Sequence, residues 1–337
     1  MTTTMAHVAA AAGVSTKTVS NVLLGRPGVS PATRERVLRL VEELGYQPNL
    51  AGRGLSSGRT GRVAVVVPML YQPYFAEVAE GLILALADRG YATTLRIAPD
   101  GAAERDAVIG TTTPDVDGVI LCPHAFVEEM VDGVEHRPLV TLGGPPMQSV
   151  DCVVMGEHEG ARAATRHLLS TGRSRIALLW NDLGSSTPHG DRYQGYVDGL
   201  AEAGLEPDPA LFAFGSDWDR RMSGYEAMVA LLLSGRSFDA VLCINDALAI
   251  GATRALRSHG RRIPDDVAVT GFDDTAEGEF MTPTLTTVNP RKAEMVEHAV
   301  AMLVERLDGY DGEPRQIRTG ADLVVRESSR SRADGRA

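Results

Sequence analysis

Two adjacent carboxylates, Asp273 and Asp274, close the run Val267-Ala268-Val269-Thr270-Gly271-Phe272, and Asn245-Asp246 closes the apolar run 240–244. Paired carboxylates in a cleft are the equipment of glycoside hydrolysis. An Asp and an Asn just beyond strand ends are instead hydrogen-bonding groups for a polar ligand. Neighbouring residues leaving a strand point in different directions, so a matched pair on one substrate is not expected. No P-loop, nucleophile elbow, zinc helix or kinase signature appears. His124, His136, His158, His167 and His189 show no helical i,i+4 pairing, and Cys122, Cys152 and Cys243 are odd in number and widely spaced. The expectation is no enzyme, no metal, no cofactor, and three buried thiols in a reducing cytoplasm.

A second set of polar groups lies near the start. At about 100° per residue, Val19, Val22 and Leu23 share one face of a short helix, and Thr16, Lys17, Ser20 and Asn21 lie on the other side. Such a helix is poor in isolation and suited to insertion into a groove. Its setting is a run of three: a first helix to Ala12 stopped by Gly13, a second capped by Ser15 with Val14 and Val19 at the staple positions, and a third opened by Ser30-Pro31. Val37, Leu38, Val41 and Leu44 form the third helix's expected core stripe, with Gly45 as its stop. Three short helices with a glycine turn between the first two make a helix-turn-helix unit.

Charge separates this head from the rest. Residues 1–62 carry eight Lys/Arg and three Glu, a net of +5, and the remaining 25 basic and 41 acidic residues leave −16. A basic head on an acidic body points to a polyanion partner for the head alone. No run approaches 18 apolar residues, so no membrane span is expected. The start lacks a basic n-region and His7 interrupts its short apolar stretch, so export is not expected and the location is cytoplasmic.

From Arg62 the pattern changes to strands alternating with helices. Strand-like runs at 63–67, 92–97, 118–121 and 138–142 form one series, and 175–179, 240–244 and 267–272 a second. Helical stretches at 75–89, 159–171, 191–203, 222–234, 247–259 and 291–307 fall between them. Alternation of this kind predicts parallel sheets covered by helices, in two lobes with a ligand cleft between. Asn245 and Asp273 should face that cleft, with Asp246 as the cap of the next helix.

The run Val8-Ala9, Ala12-Gly13-Val14-Ser15, Thr18-Val19-Ser20, Val29-Ser30, Thr33-Arg34, Val37, Leu44-Gly45-Tyr46 and Pro48-Asn49 resembles the DNA-binding head of the lactose-repressor (LacI/GalR) family. Gly160-Ala161, Asn245-Asp246, Gly271-Phe272-Asp273-Asp274 and Leu285-Thr286-Thr287-Val288 extend the likeness over nearly the whole chain. The resemblance implies an all-α helix-turn-helix head on an α/β two-lobe core like periplasmic sugar-binding proteins, with parallel sheets and three crossovers. Its domains would be the head at 1–47, a hinge helix or linker at 48–61 and an effector-binding and dimerisation core at 62–327, followed by a basic, serine-rich disordered tail at 328–337. Within the core, one lobe would take about 63–158 plus 289–322 and the other about 159–288.

By that resemblance Thr16, Lys17 and Asn21 read bases: Lys can donate to guanine O6/N7, Asn can pair with adenine, and the Thr methyl can touch thymine. Ser15, Thr18, Ser20 and Thr33 would contact the DNA backbone, which positions without specifying. Asn49, Arg53 and Leu55 occupy the minor-groove hinge, with Leu55 as the wedge. Gly52 and Gly54 depart from that pattern, each costing about 1 kcal/mol of helix stability relative to Ala. In the cleft, Arg192 matches an effector-gripping arginine, Trp218 a ring-stacking tryptophan, and Tyr71, Tyr74 and Phe75 an effector-lining loop. Gly156 stands where many members carry Asp.

An Asp, an Asn and an Arg beside aromatic faces suit vicinal hydroxyls on a pyranose, so the expected effector is a carbohydrate, with a nucleoside or purine acting as corepressor as the alternative. The expected protein is a homodimeric repressor of a near-palindromic double-stranded operator, released by its effector. A solute-binding protein and an enzyme are the remote alternatives.

Overall fold

The computed structural model describes residues 4–23, 28–44, 59–109, 116–181, 188, 190–217 and 220–330. The chain divides into two units, Met1–Gly61 and Arg62–Ala337.

In the first unit, Thr4 caps α1 (Met5–Ala12) through a reciprocal pair with His7, and Gly13 ends it in the left-handed region at φ +61°. Ser15 accepts the Thr18 N–H at 3.1 Å and so caps α2 (Thr16–Leu23). Ser30 accepts the Thr33 N–H at 3.3 Å at the start of α3 (Pro31–Glu43), with Pro31 in the first turn. Val8, Ala9, Ala12, Val19, Val22 and Val37 make the small buried core. The expected α3 stripe is only half right. Val37 and Val41 face the core as expected, but Leu38 and Leu44 are exposed and Leu40 packs there in their place, on the i, i+3, i+4 face with Val37 and Val41. Arg34 also donates to the Val22 carbonyl at 3.0 Å, closing the C-terminal end of α2.

Among the described residues, the second unit contains two six-stranded sheets. The first, in the order β11-β5-β4-β3-β1-β2, comprises β1 (Arg62–Val67), β2 (Ala92–Ile97), β3 (Gly118–Leu121), β4 (Leu139–Leu142), β5 (Asp151–Val154) and β11 (Gln316–Arg318), paired parallel throughout. The second, β12-β10-β9-β8-β6-β7, comprises β6 (Ile176–Asn181), β7 (Phe212–Gly215), β8 (Ala240–Cys243), β9 (Ala268–Phe272), β10 (Thr286–Asn289) and β12 (Asp322–Val324). Strand β12 alone is antiparallel, at an edge, where a strand need not follow the crossover rule. Strands such as Val63–Val67 are buried on both faces, which is why they read as continuous apolar runs.

Helices α4 (Pro73–Asp88) and α11 (Lys292–Leu307) cover the first sheet, and α5 (Gly101–Ile109) lies between β2 and β3 in the chain. Helices α6 (Glu157–Ser170) and α7 (Asp191–Ala201) pack together, with α6 on the second sheet; α8 (Arg221–Leu233) and α9 (Asp246–Ser258) form a second pair there, and the single-turn α10 (Glu277–Phe280) follows β9 in the chain. The chain passes between the sheets three times: after β5, after β10 and after β11.

The expected disordered tail begins too early. Ser328 and Ser329 are buried: Ser328 Oγ donates to the Val269 carbonyl at 2.7 Å and accepts the Thr286 N–H at 2.8 Å. Ser329 Oγ bonds Thr286 Oγ1 at 2.6 Å and meets His167 Nε2 at 2.7 Å. These hydroxyls satisfy polar groups at the sheet's end, a role composition does not reveal. The three cysteines are free and buried, and burial pushes the Cys122 thiol up to about 12. Among the described residues no helix is long and apolar enough to cross a membrane, and no group of His, Cys, Asp and Glu is arranged to hold a metal.

Candidate functional site

On the head, Ser15, Thr16 and Lys17 are exposed, and Thr18, Ser20, Asn21 and Thr33 are half-buried. Ser15 and Thr18 share a hydroxyl hydrogen bond at 2.9 Å, and Ser30 donates to the Thr33 hydroxyl at 2.8 Å. Ser15, Thr18 and Thr33 therefore sit at the N-termini of α2 and α3, where the helix dipole favours a phosphate, while Ser20 lies in the second turn of α2. Lys17 projects from the first turn of α2 and Asn21 lies one turn further on. Asn49, Arg53 and Leu55 lie outside the described residues.

In the core, a cavity of about 420 Å³ opens between the two sheets at the carboxyl ends of their strands. Tyr74, Phe75, Arg192 and Asp273 line it as expected. Pro73 starts α4, so Tyr74 and Phe75 fall in its first turn and are buried edge-to-face, with centroids 5.1 Å apart. Arg192 is tightly held: Nε donates to Glu157 Oε1 at 3.0 Å, one terminal nitrogen donates to the Ile244 carbonyl at 2.5 Å, and the guanidinium carbon lies 3.9 Å from the Phe272 centroid.

Asp273 is 3% exposed and takes φ +113°, followed by Asp274 at +47°. Two successive non-glycine residues in the left-handed region are strained, and strain of this kind clusters at functional sites. The turn also separates the carboxylates. Asp273 lines the cavity, while Asp274 accepts from Arg326 and from Asn289 Nδ2, each at 2.8 Å. They do not face one substrate as an acid/base pair. Burial pushes the Asp273 carboxyl well up, Arg192 and Lys292 oppose that rise, and Asp246 adds to it.

Three expectations need correction. Asn245 is not among the cavity-lining residues: it caps α9, its Oδ1 accepting the Leu248 N–H at 2.9 Å from an extended backbone. Asp246, expected as the cap, is instead the first helical residue and turns into the core. There it accepts the Thr275 N–H at 2.8 Å and hydroxyl bonds from Thr275 and Thr287 at 3.2 and 2.6 Å. Tyr71 precedes α4 and lies half exposed beneath Arg220, 5.5 Å from centroid to guanidinium carbon, and is not among the cavity-lining residues. Trp218 lies outside the described residues.

The cavity contains groups the sequence reading passed over: Trp180, Asn181, His124, Glu157, Asp191 and the Gly143-Gly144 pair. The strand-end rule that found Asp273 also reaches Trp180-Asn181 at the end of β6, Gly143 after β4 and His124 just beyond β3. Gly143, at φ +84°, would place a Cβ 2.8 Å from Met155 Cε and 3.1 Å from the Tyr74 hydroxyl. At Gly156 a Cβ would stand 2.8 Å from the Thr319 carbonyl, in the crossover after β11, so no Asp fits without moving that backbone. Glu157 supplies a carboxylate at the next position. Burial holds the His124 imidazole below its ordinary range, with Asp217 opposing.

Residues 4–49 match the bacterial regulatory proteins of the lacI family, and residues 165–329 match the periplasmic binding protein-like domain. A DNA-binding head on such a core defines a DNA-binding transcription regulator. The HTH-type transcriptional regulator CelR of Thermobifida fusca is 37% identical over 96% of this chain and 98% of its own length. A CelR–cellobiose complex is similar in structure, at TM-score 0.69 and 36% identity over 97% of this chain and 99% of that one. The lac repressor dimer bound to operator and the anti-inducer ONPF has TM-score 0.79 and 25% identity over 98% and 99%. The chain belongs to the lacI family of bacterial regulatory proteins.

Proposed function

We propose that this regulator is a cytoplasmic homodimeric repressor that binds a near-palindromic operator and releases it when a carbohydrate enters the cavity. The domain boundaries expected from the sequence, apart from the tail, are retained in this reading. One observation carries the carbohydrate: Trp180 and Phe75 give apolar faces to a cavity that Asp273 also lines and where Arg192 is held by Glu157 and the Ile244 carbonyl. That set matches a pyranose, whose faces are apolar and whose rim is hydroxyls. Likeness to CelR, known in complex with cellobiose, supports a glucose-containing disaccharide. No catalysis is assigned to the cavity, because the carboxylates of Asp273 and Asp274 diverge.

Effector binding can shift DNA affinity only by its preference between two lobe arrangements. Calorimetric titration with cellobiose, glucose and hypoxanthine tests the ligand, and anisotropy on a duplex selected from a random pool tests the response. Cellobiose should bind and loosen the selected duplex. Binding of hypoxanthine with tightened DNA would replace this reading with purine corepression.

A further inference from the structure

Asp273 belongs to the second lobe, yet the turn that carries it is held from the first. Lys292 Nζ, at the start of α11, donates to the carbonyls of Asp273 and Asp274 at 2.7 and 2.8 Å. The same ammonium pairs with Glu77 Oε2 at 2.5 Å, and the other oxygen of Glu77 accepts the Ala276 N–H at 3.0 Å. Glu77 sits on α4, one turn after Tyr74, and α4 and α11 both cover the first sheet. Both side chains are shielded, at 30% and 17% exposure. One ion pair of the first lobe thus collects two carbonyls and one N–H from the strained turn 273–276.

We propose that Glu77 and Lys292 are positioning residues that lock the two lobes together through this turn and aim the Asp273 carboxylate into the cavity. The proposal rests on the cavity being the effector site. Left-handed residues persist only where the surroundings over-determine them, and here Lys292 neutralises two carbonyl dipoles that point the same way. Opening the lobes would strip both carbonyls and the Ala276 N–H of their partners at once. Effector affinity and lobe angle would then be linked through a single cation.

The test uses the full-length protein with nitroxides at Glu129→Cys and Arg236→Cys, one exposed position on each lobe. Labelled protomers are diluted with unlabelled ones, and the buried native thiols are shielded from the reagent. Electron–electron distances are recorded without ligand, and cellobiose affinity is measured on the same variants. Lys292→Met should lengthen and broaden the lobe-to-lobe distance and weaken cellobiose about tenfold, the scale of one charge-assisted hydrogen bond, while Lys292→Arg stays near wild type.

The exchange Glu77→Lys with Lys292→Glu separates a latch from a simple ion pair. It restores the pair but sets a carboxylate against two carbonyls, so it should not restore the distance. Should Lys292→Met fail to fold, Glu77→Gln reads the same distance with the backbone contact retained, and an intermediate shift is expected. Wild-type distances in Lys292→Met, or rescue by the exchange, overturn the proposal. If the wild-type protein ignores cellobiose while the distances shift as stated, the ligand assignment falls and the latch stands.

Discussion

Arg192 lies over the Phe272 ring at 3.9 Å while its Nε is bonded to Glu157 at 3.0 Å. Stacking and pairing together fix the plane of the guanidinium before any ligand arrives. A pre-ordered fork loses little entropy on binding, which is what distinguishes it from an ammonium at the same place. Arg192→Lys should therefore behave like Arg192→Ala, each weakening effector binding by roughly 10- to 100-fold, the scale of one to two charged hydrogen bonds. Isothermal titration decides it, and a lysine variant with wild-type affinity would show that charge alone suffices.

Trp180 ends β6, is 5% exposed, and stands edge-on to Tyr193 with ring centroids 6.3 Å apart. Its indole lines the cavity with Phe75 and is the proposed cover for a sugar face. Trp180→Phe keeps an apolar ring and should lose about 1 kcal/mol of effector affinity, whereas Trp180→Ala should lose affinity and also about 3 kcal/mol or more of stability. Titration paired with chemical denaturation separates the two effects. Equal affinities for wild type and Trp180→Ala would remove the indole from the site.

How much of this was legible follows from what each signal measures. Alternating runs such as Val63–Val67 and Ala240–Cys243 report burial on both sheet faces, so the two parallel sheets and the position of Asp273 could be read directly. Pairing partners are not local, and the exchange of roles between Asn245 and Asp246 shows the consequence. Both residues suit a helix start, and only the direction of the strand end decides which one caps and which one turns inward. Ser328 and Ser329 fail for the same reason: a serine-rich, basic stretch reads as solvated until the strand end that needs its hydroxyls is brought beside it. Trp180 was within reach of the strand-end rule, and the resemblance drew attention to Trp218 instead.

Asp246 gives the core a pH dependence of definite sign. Burial pushes its carboxyl up to about 7 from an ordinary 3.8, against the hydrogen bonds from Thr287 and Thr275. The folded state therefore holds a proton that the unfolded state has already released, so this group's contribution is fully present below pH 3.8 and is lost as pH rises to about 7. Asp273, also raised by burial, adds to the same slope. Thermal melting should show higher stability at mildly acidic pH than above neutrality, with the difference reduced in Asp246→Asn. An unchanged difference in that variant would place the titration elsewhere.

The head separates two kinds of contact that one affinity measurement would merge. Lys17 and Asn21 are proposed to read base edges, so their alanine variants should lose about 1–3 kcal/mol on the preferred duplex and relax the preference at one or two positions. Ser15 caps α2 through the Thr18 N–H, and that helix end is also the proposed phosphate seat. Ser15→Ala should lower the stability of the head by about 1 kcal/mol and weaken all duplexes alike. Selection from a random pool, repeated with each variant, tells the roles apart: a changed sequence logo marks a base reader, and a uniform loss marks a positioning contact. If Asn21→Ala returns the wild-type logo, the residue facing the bases is another one on the exposed side of α2.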